Sequence, residues 1–234
     1  MSKNRTFVIG DIHGAYRALK QVIARSNFDY EQDKLIVLGD VADGWPEVAQ
    51  CFEELLKIKN LVYVRGNHDQ WLKDWLKEGK QPLIWTEQGG RNTLESYLTH
   101  PDFPEIGKKH LAFLKKTPCY YLDEENRAFV HGGIDLKKPI TENGKQYLMW
   151  DRDLWDLRHR SDIRRLAIQQ YKEIYVGHTS IYRFSHKPLQ NCNIWYMDTG
   201  GGWEGVVSMM DIDTKEIFQS DVVKELYPEE RGRN

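Results

Sequence analysis

Three cysteines in 234 residues, at 51, 119 and 192, are too few and too scattered for a disulfide framework or a thiolate zinc site. No apolar run approaches the roughly 20 residues that span a bilayer. The short apolar stretch ending at Gly10 is too brief for the core of a signal peptide. A surplus of one charge is missing too: 33 Lys and Arg stand against 35 Asp and Glu, a formal net charge of −2. That balance argues against a polybasic membrane binder or a generic nucleic-acid coat, so neither a membrane association nor a stable nucleic-acid complex is expected. Internal repeats, low-complexity tracts and flexible linkers are also lacking. The absences leave a single cytoplasmic domain over 1–234, long enough to bury a core without a covalent or metal staple. Within it, eight histidines among many carboxylates ask for an explanation.

Short β-branched and aromatic runs recur, and each ends at a glycine with polar neighbours. Thr6–Ile9 leads into Gly10-Asp11-Ile12-His13-Gly14, Lys34–Leu38 into Gly39-Asp40, and Leu61–Val64 into Arg65-Gly66-Asn67-His68-Asp69. Ala128–Val130 leads into His131-Gly132-Gly133, and Ile174–Val176 into Gly177-His178-Thr179. Such runs read as buried strands. Helical periodicity separates the first three, over Tyr16–Ser26 and Glu47–Ile58, with Pro46 suited to a first turn. Alternating strand and helix predict a largely parallel sheet, in which ligands sit beyond the carboxyl ends of the strands. All five polar clusters fall at that end.

A further helix is expected over Trp71–Lys77. The less regular 79–118, with helix-like Thr93–Leu98 and Lys108–Lys115, reads as an insertion or cap. From Ile194 onward the pattern becomes strand, turn, strand: Ile194–Met197, Val206–Ile212 and Glu216–Val222, turning at Asp213-Thr214-Lys215. This predicts a second, largely antiparallel sheet. The charged stretch Tyr227–Asn234 is expected to fray.

Any one of these polar fragments is ordinary turn chemistry by itself, since Asp caps helices and tolerates left-handed backbone. Together, Asp11, His13, Asp40, Asn67, His68, His131 and His178 supply at least six oxygen and imidazole donors without thiolate, a set for hard-to-borderline divalent metals. Six ligands are too many for one metal with open positions and suit two, the usual clamp for in-line attack at phosphorus. One carboxylate must then bridge, and Asp40 is central in chain order.

These five motifs closely resemble those of the calcineurin-like metallophosphoesterase superfamily, and within it the bacterial and bacteriophage lambda-type phosphoprotein phosphatases. The resemblance covers residues 10 to 179. It implies an α/β fold of four layers, an αββα sandwich of mixed sheets with a dinuclear metal site at the sheet edge. It implies that Asp11, His13 and Asp40 bind a first metal, and Asp40, Asn67, His131 and His178 a second. A metal-bridging hydroxide would attack phosphorus, with His68 as general acid oriented by Asp43. Two divalent ions are expected, manganese first, with Fe, Zn, Co and Mg tolerated by the same donors. The expected activity is hydrolysis of phosphate monoesters, with phosphoserine or phosphothreonine protein as the family-level substrate. Symmetrical dinucleoside tetraphosphate hydrolysis and removal of RNA end phosphates are the competing activities, and a scaffold without turnover is the non-enzymatic one.

The chain departs from the family where Asp43 is followed by Gly44-Trp45-Pro46, because an arginine that holds the substrate phosphate normally stands after that Asp. A phosphate monoester thereby loses a bidentate clamp. Arg152, in Trp150-Asp151-Arg152, matches a lambda-type phosphate-binding arginine. Arg91, after a Gly-Gly turn, is a hypothetical replacement, or belongs to a plain loop before a capped helix. Arg65 reads as structural or as support for the site. Trp45 either stacks on an aromatic substrate group or anchors the next helix. Arg158–Arg165 is either a solvated helix face or a basic rim for anionic ligands. Asp198-Thr199-Gly200-Gly201-Gly202 reads as a tight turn near the site, since the P-loop Lys-Ser/Thr is absent.

Overall fold

The computed structural model describes residues 4–156, 166–167 and 169–233. The basic run Arg158–Arg165 lies outside the described residues.

Three strands, β1 (Thr6–Ile9), β2 (Lys34–Val37) and β3 (Asn60–Tyr63), run parallel, joined through helices α1 (Tyr16–Arg25) and α2 (Val48–Leu55). Alternation along each strand sets the layers. Phe7 and Ile9 of β1, with Leu35 and Val37 of β2, face the helices, where α1 buries Leu19, Val22 and Ile23. Val8 and Ile36 point the other way, toward a second sheet.

That second sheet contains β4 (Tyr120–Leu122), β5 (Arg127–Val130), β6 (Glu173–Val176), β7 (Leu189–Asn191) and β8 (Ile194–Tyr196), in the order β4-β5-β6-β8-β7. Its odd and even residues separate in the same way. Phe129 and Tyr175 enter the layer between the sheets and stack with ring centroids 4.9 Å apart, while Ala128, Val130, Ile174 and Val176 face the outer core. The result is the four-layer αββα arrangement, with two mixed sheets back to back.

The late strands correct one expectation. β9 (Ser208–Asp211) and β10 (Ile217–Gln219) do not form a separate antiparallel sheet with β8. They extend the first sheet in the order β10-β9-β1-β2-β3, with β9 antiparallel to β1, whereas β8 lies parallel to β6 in the second sheet. A strand–turn–strand pattern fixes the hairpin but not the edge on which it docks. The turn itself falls at residues 212–215, where Lys215 has φ 62° and donates its N–H to Asp211 O.

Helix α3 (Asn67–Glu78) starts earlier than expected, so that Asn67 and His68 stand in its first turn. α2 starts at Val48, which leaves Pro46 outside its first turn. Residues 79–118 are mostly helical. A single-turn α4 (Leu83–Trp85) runs through a π-turn at Thr86–Gly90 into α5 (Arg91–Leu98), and α6 (Glu105–Leu114) follows; α5 packs on α2 and α6 on α3. Short helices α7 (Lys145–Trp150) and α8 (Asp153–Asp156) precede β6. Among the described residues, no helix is long and apolar enough to cross a membrane.

The stretch after Tyr227 does not simply fray. Tyr227 is buried and stacks on Trp45, centroids 5.1 Å apart, and Arg233 N–H donates to Gly202 O at 2.8 Å.

Candidate functional site

The five polar clusters converge at the carboxyl ends of β1, β2, β3, β5 and β6. Backbone geometry there is unusual. His13, Asp40, Asp43 and His178 have φ of 51°, 50°, 69° and 65°, each costing about 1 kcal/mol or more for a non-glycine residue. One carboxylate helps impose this shape. Asp69, one turn into α3, accepts N–H groups from Gly66, Asp40, Val41 and Ala42 at 2.9–3.2 Å, tying the loop after β2 to the loop after β3. Gly66 is required at its place, because a Cβ there would lie 2.1 Å from Asp40 Oδ1.

The histidines are aimed by carbonyls. His13 Nδ1 donates to Ala42 O at 2.9 Å, His131 Nδ1 to Leu38 O at 2.8 Å, and His178 Nε2 to Trp150 O at 3.1 Å. Each acceptor can only accept, so each ring spends one N–H there and turns its other nitrogen inward. Two triads of ligand atoms result, each within 4.8 Å of one another: Asp11, His13 and Asp40, and Asp40, His131 and His178. Asp40 belongs to both.

The second group fits a cation on its own evidence. His131 Nε2 lies 3.0 Å from Asn67 Oδ1 and 3.1 Å from Asp40 Oδ2. Asp40 Oδ2 is buried with no hydrogen bond. Two acceptor oxygens and a ring nitrogen crowd together only around a proton or a metal ion. Burial opposes a proton there, but the Asp40 charge and contact push His131 up to about 9. Burial would raise Asp40, yet His131 and His68 hold its carboxyl well below the usual range. Burial and the neighbouring Asp198 charge hold Asp11 well above it. His13 is pushed down to about 3 by burial and then by the Arg233 charge. His178 also falls to about 3, through burial, then His131, with Arg152 contributing. Both are therefore neutral donors of a lone pair.

His68 stands beside the triads. Its Nε2 is buried, unpartnered, and 3.9 Å from Asp40 Oδ2. Its Nδ1 lies 2.6 Å from Asp43 Oδ2. Asp43 is itself held by Thr93 Oγ1 at 2.6 Å and by Trp85 Nε1 at 2.8 and 2.9 Å. Burial keeps the Asp43 carboxyl well above its ordinary value despite these donors, and burial lowers His68 well below its own. Trp71 packs edge-on against His68 at 4.9 Å and Trp150 against Trp71 at 5.0 Å, forming an aromatic wall toward His178.

The remaining residues fall at varied distances from this centre. Arg152 is exposed, just after α7, near enough for its charge to act on His178. Arg91 is exposed and lines a surface groove with Thr86, Asn92 and residues 229–232. Arg65 is buried and donates Nε to Thr117 Oγ1 at 3.0 Å and Nη1 to Gln70 Oε1 at 2.9 Å, a structural tie. Trp45 is 1% exposed and donates Nε1 to Gly201 O at 2.7 Å, which anchors it. Asp198 opens a tight turn by accepting Gly200 N–H at 2.9 Å. Asp69, Trp85, Thr93 and Arg233 were not marked by the sequence. Asp69 follows His68 directly and was available as a signal; Trp85, Thr93 and Arg233 come from segments with no local motif.

The calcineurin-like phosphoesterase family model matches residues 5–201. A Salmonella typhimurium protein named serine/threonine-protein phosphatase 1 is 26% identical over 209 residues, 88% of this chain and 91% of its own. A Neisseria meningitidis protein named symmetrical bis(5'-nucleosyl)-tetraphosphatase is 24% identical, covering 91% of this chain and 94% of its own. In fold, the chain is similar to a putative diadenosine tetraphosphatase, with TM-score 0.68 and 16% identity over 93% of both chains. It is also similar to a cold-active protein-tyrosine phosphatase of a Shewanella species, with TM-score 0.63 and 12% identity over 94% of this chain and 81% of that one. With its fold, two Asp/His groups that could hold metal ions and a family match over most of its length, the chain belongs to the calcineurin-like phosphoesterases, enzymes that hydrolyse phosphoric esters.

Proposed function

We propose that the protein hydrolyses phosphate monoesters, with serine/threonine phosphoprotein as its substrate class, using two divalent cations, manganese being the first choice. The observation that carries this reading is the pair of ligand triads sharing Asp40, with the unpartnered Nε2 of His68 beside the shared carboxylate. Asp11, His13 and Asp40 would hold one ion, and Asp40, Asn67, His131 and His178 the other. The ions supply Lewis acidity and a low-pKa water. The protein's own contribution is position and a proton. Three carbonyls orient the ligand rings. Asp43, fixed by Trp85 and Thr93, orients His68 so that Nε2 lies beside the shared carboxylate, and because burial favours the protonated Asp43 carboxyl, Nε2–H can go to a leaving oxygen while Nδ1 takes the Asp43 proton. Arg152, at the rim, is the proposed contact for the phosphate.

A second reading, symmetrical dinucleoside tetraphosphate hydrolysis, draws support from relatives of that name that match nearly the whole chain. The deciding experiment is a substrate panel with added manganese: nitrophenyl phosphate, phosphoserine and phosphothreonine peptides, and a dinucleoside tetraphosphate. Asp40→Asn serves as the inactive comparison. Turnover of phosphopeptides ahead of the dinucleotide supports the first reading, and the reverse order the second. Full activity of Asp40→Asn would sink both.

A further inference from the structure

We propose that Arg233 is a substrate-binding residue of this site, a guanidinium delivered from the far end of the described chain to take the oxygens of a phosphoryl group.

The side chain lies in a channel made by two missing side chains. A Cβ on Gly44 would meet Arg233 Cγ at 3.3 Å, and a Cβ on Gly202 would meet Arg233 Cδ at 3.0 Å. Position 44 follows Asp43 directly, so the aliphatic stem of Arg233 runs over the spot where residue 44 has nothing to offer. Its backbone is fixed by the N–H to Gly202 O at 2.8 Å, and Gly232 is seated on Trp45. The guanidinium sits over the Trp203 ring, 5.2 Å from its centroid, and Nη2 donates to Gln88 Oε1 at 3.3 Å. These contacts aim the fork inward, where Nη1 donates to His13 Nε2 at 3.2 Å and Nε is buried without a partner.

That last contact gives the group its function. His13 spends Nδ1 on Ala42, so Nε2 carries the lone pair with which His13 joins its ligand triad. One lone pair serves a metal ion or Arg233, not both. With an ion in place, Nη1 loses its acceptor and Nε still lacks one, in a pocket that has gained positive charge. A polyoxygen anion bound at the ions gives Nη1 a new acceptor and offsets the charge, and the edge formed by Nη1 and Nη2 suits phosphate geometry once Nη2 turns from Gln88. Arg233 therefore alternates between covering the His13 lone pair and gripping the phosphate.

The inference rests on the phosphoesterase reading, and the experiment separates the two. Calorimetry on the manganese-saturated protein measures the Kd for inorganic phosphate in wild type, Arg233→Ala, Arg233→Lys and Arg233→Gln, with manganese affinity measured alone in parallel. Arg233→Ala is expected to weaken phosphate about 10- to 100-fold, with Lys intermediate and manganese binding unchanged or tighter. Added methylguanidinium is expected to restore part of the Ala variant's phosphate binding, and KM for nitrophenyl phosphate to rise more than kcat falls. Arg233→Gln keeps bulk on Trp203 and covers the case in which the Ala variant misfolds. Phosphate binding within twofold of wild type in Ala and Gln overturns this proposal and leaves the phosphoesterase reading standing. Manganese affinity falling as much as phosphate affinity also overturns it, since Arg233 would then be supporting the metal site. Wild-type protein that neither binds phosphate nor turns over any phosphoester overturns both.

Discussion

Loading the second metal position should expel a proton from His131. His131 Nε2 sits 3.0 Å from Asn67 Oδ1 and 3.1 Å from Asp40 Oδ2, and its pKa is pushed up to about 9. At pH 7 it is then mostly protonated, and that proton must leave before Nε2 could act as a metal ligand. Removing it costs roughly 3 kcal/mol, or on the order of 100-fold in apparent affinity relative to the limit above pH 9. His13 and His178, both lowered to about 3, add nothing to that cost. Metal titrations at pH 7 in buffers of different ionisation enthalpy should show about one proton leaving from His131 per second ion, with any release from Asp11 added to it. Affinity should climb about tenfold per pH unit toward pH 9 and then flatten. Stability follows the same proton. A raised folded-state value stabilises the metal-free protein fully below the ordinary 6.5 and loses that stabilisation as pH rises through about 9. Its unfolding midpoint should therefore drop between pH 7 and 9 more than that of the metal-loaded protein. No proton release at pH 7, together with a His131 ring titrating near 6.5 by NMR, would refute the reasoning.

Thr93→Val removes a hydrogen bond from Asp43 Oδ1 and the acceptor of Asp43 N–H. Turnover of phosphoserine peptide should fall roughly tenfold, and that of nitrophenyl phosphate less, because a good leaving group needs less help from an acid; equal losses would count against the His68–Asp43 pair. Asp69→Ala strands four buried N–H groups and should cost at least about 3 kcal/mol in denaturant unfolding; a loss under about 1 kcal/mol would show that the loops hold their shape without it. Away from the site, Glu54 is lowered to about 2, since hydrogen bonds from Lys20, Lys57 and Tyr30 overcome its burial. A depressed value gives stability that is present above the ordinary 4.5 and lost as pH falls through about 2. Glu54→Gln should cost about 1–2 kcal/mol at pH 7, limited because both lysines face solvent, with the difference closing near pH 2; a pH-independent difference would exclude the charge as its source.

Strand identity was legible because buried parallel strands are short, β-branched and followed by turn residues, and β1, β2, β5 and β6 each show this. The convergence of the Asp and His side chains came with them, since a sheet edge collects whatever follows its strands. Sheet membership was not legible for β8, β9 and β10: nothing in Val206–Ile212 encodes whether β1 or β6 is the neighbour. The supports of the site were hidden for a related reason. Trp85 and Thr93 reach Asp43 from a segment whose own periodicity is weak, and their distance along the chain leaves no local trace. Arg233 is the extreme case. Its charged surroundings matched a fraying end, and only the folded positions of Gly44, Gly202 and Trp203 give its side chain a place to lie.

The two ligand triads differ in what they connect. Asp11, His13 and Asp40 all come from loops of one sheet, whereas Asp40, His131 and His178 come from both. An ion in the first triad orders loops that already share a sheet. An ion in the second ties one sheet to the other across the seam filled by Val8, Ile36, Phe129 and Tyr175. An ion held there would weld the halves of the molecule to one another, so its occupancy would contribute to how firmly they stay together. Chelation would act there as a mechanical perturbation, leaving the His131–Asp40 and His131–Leu38 contacts to join the sheets at that edge.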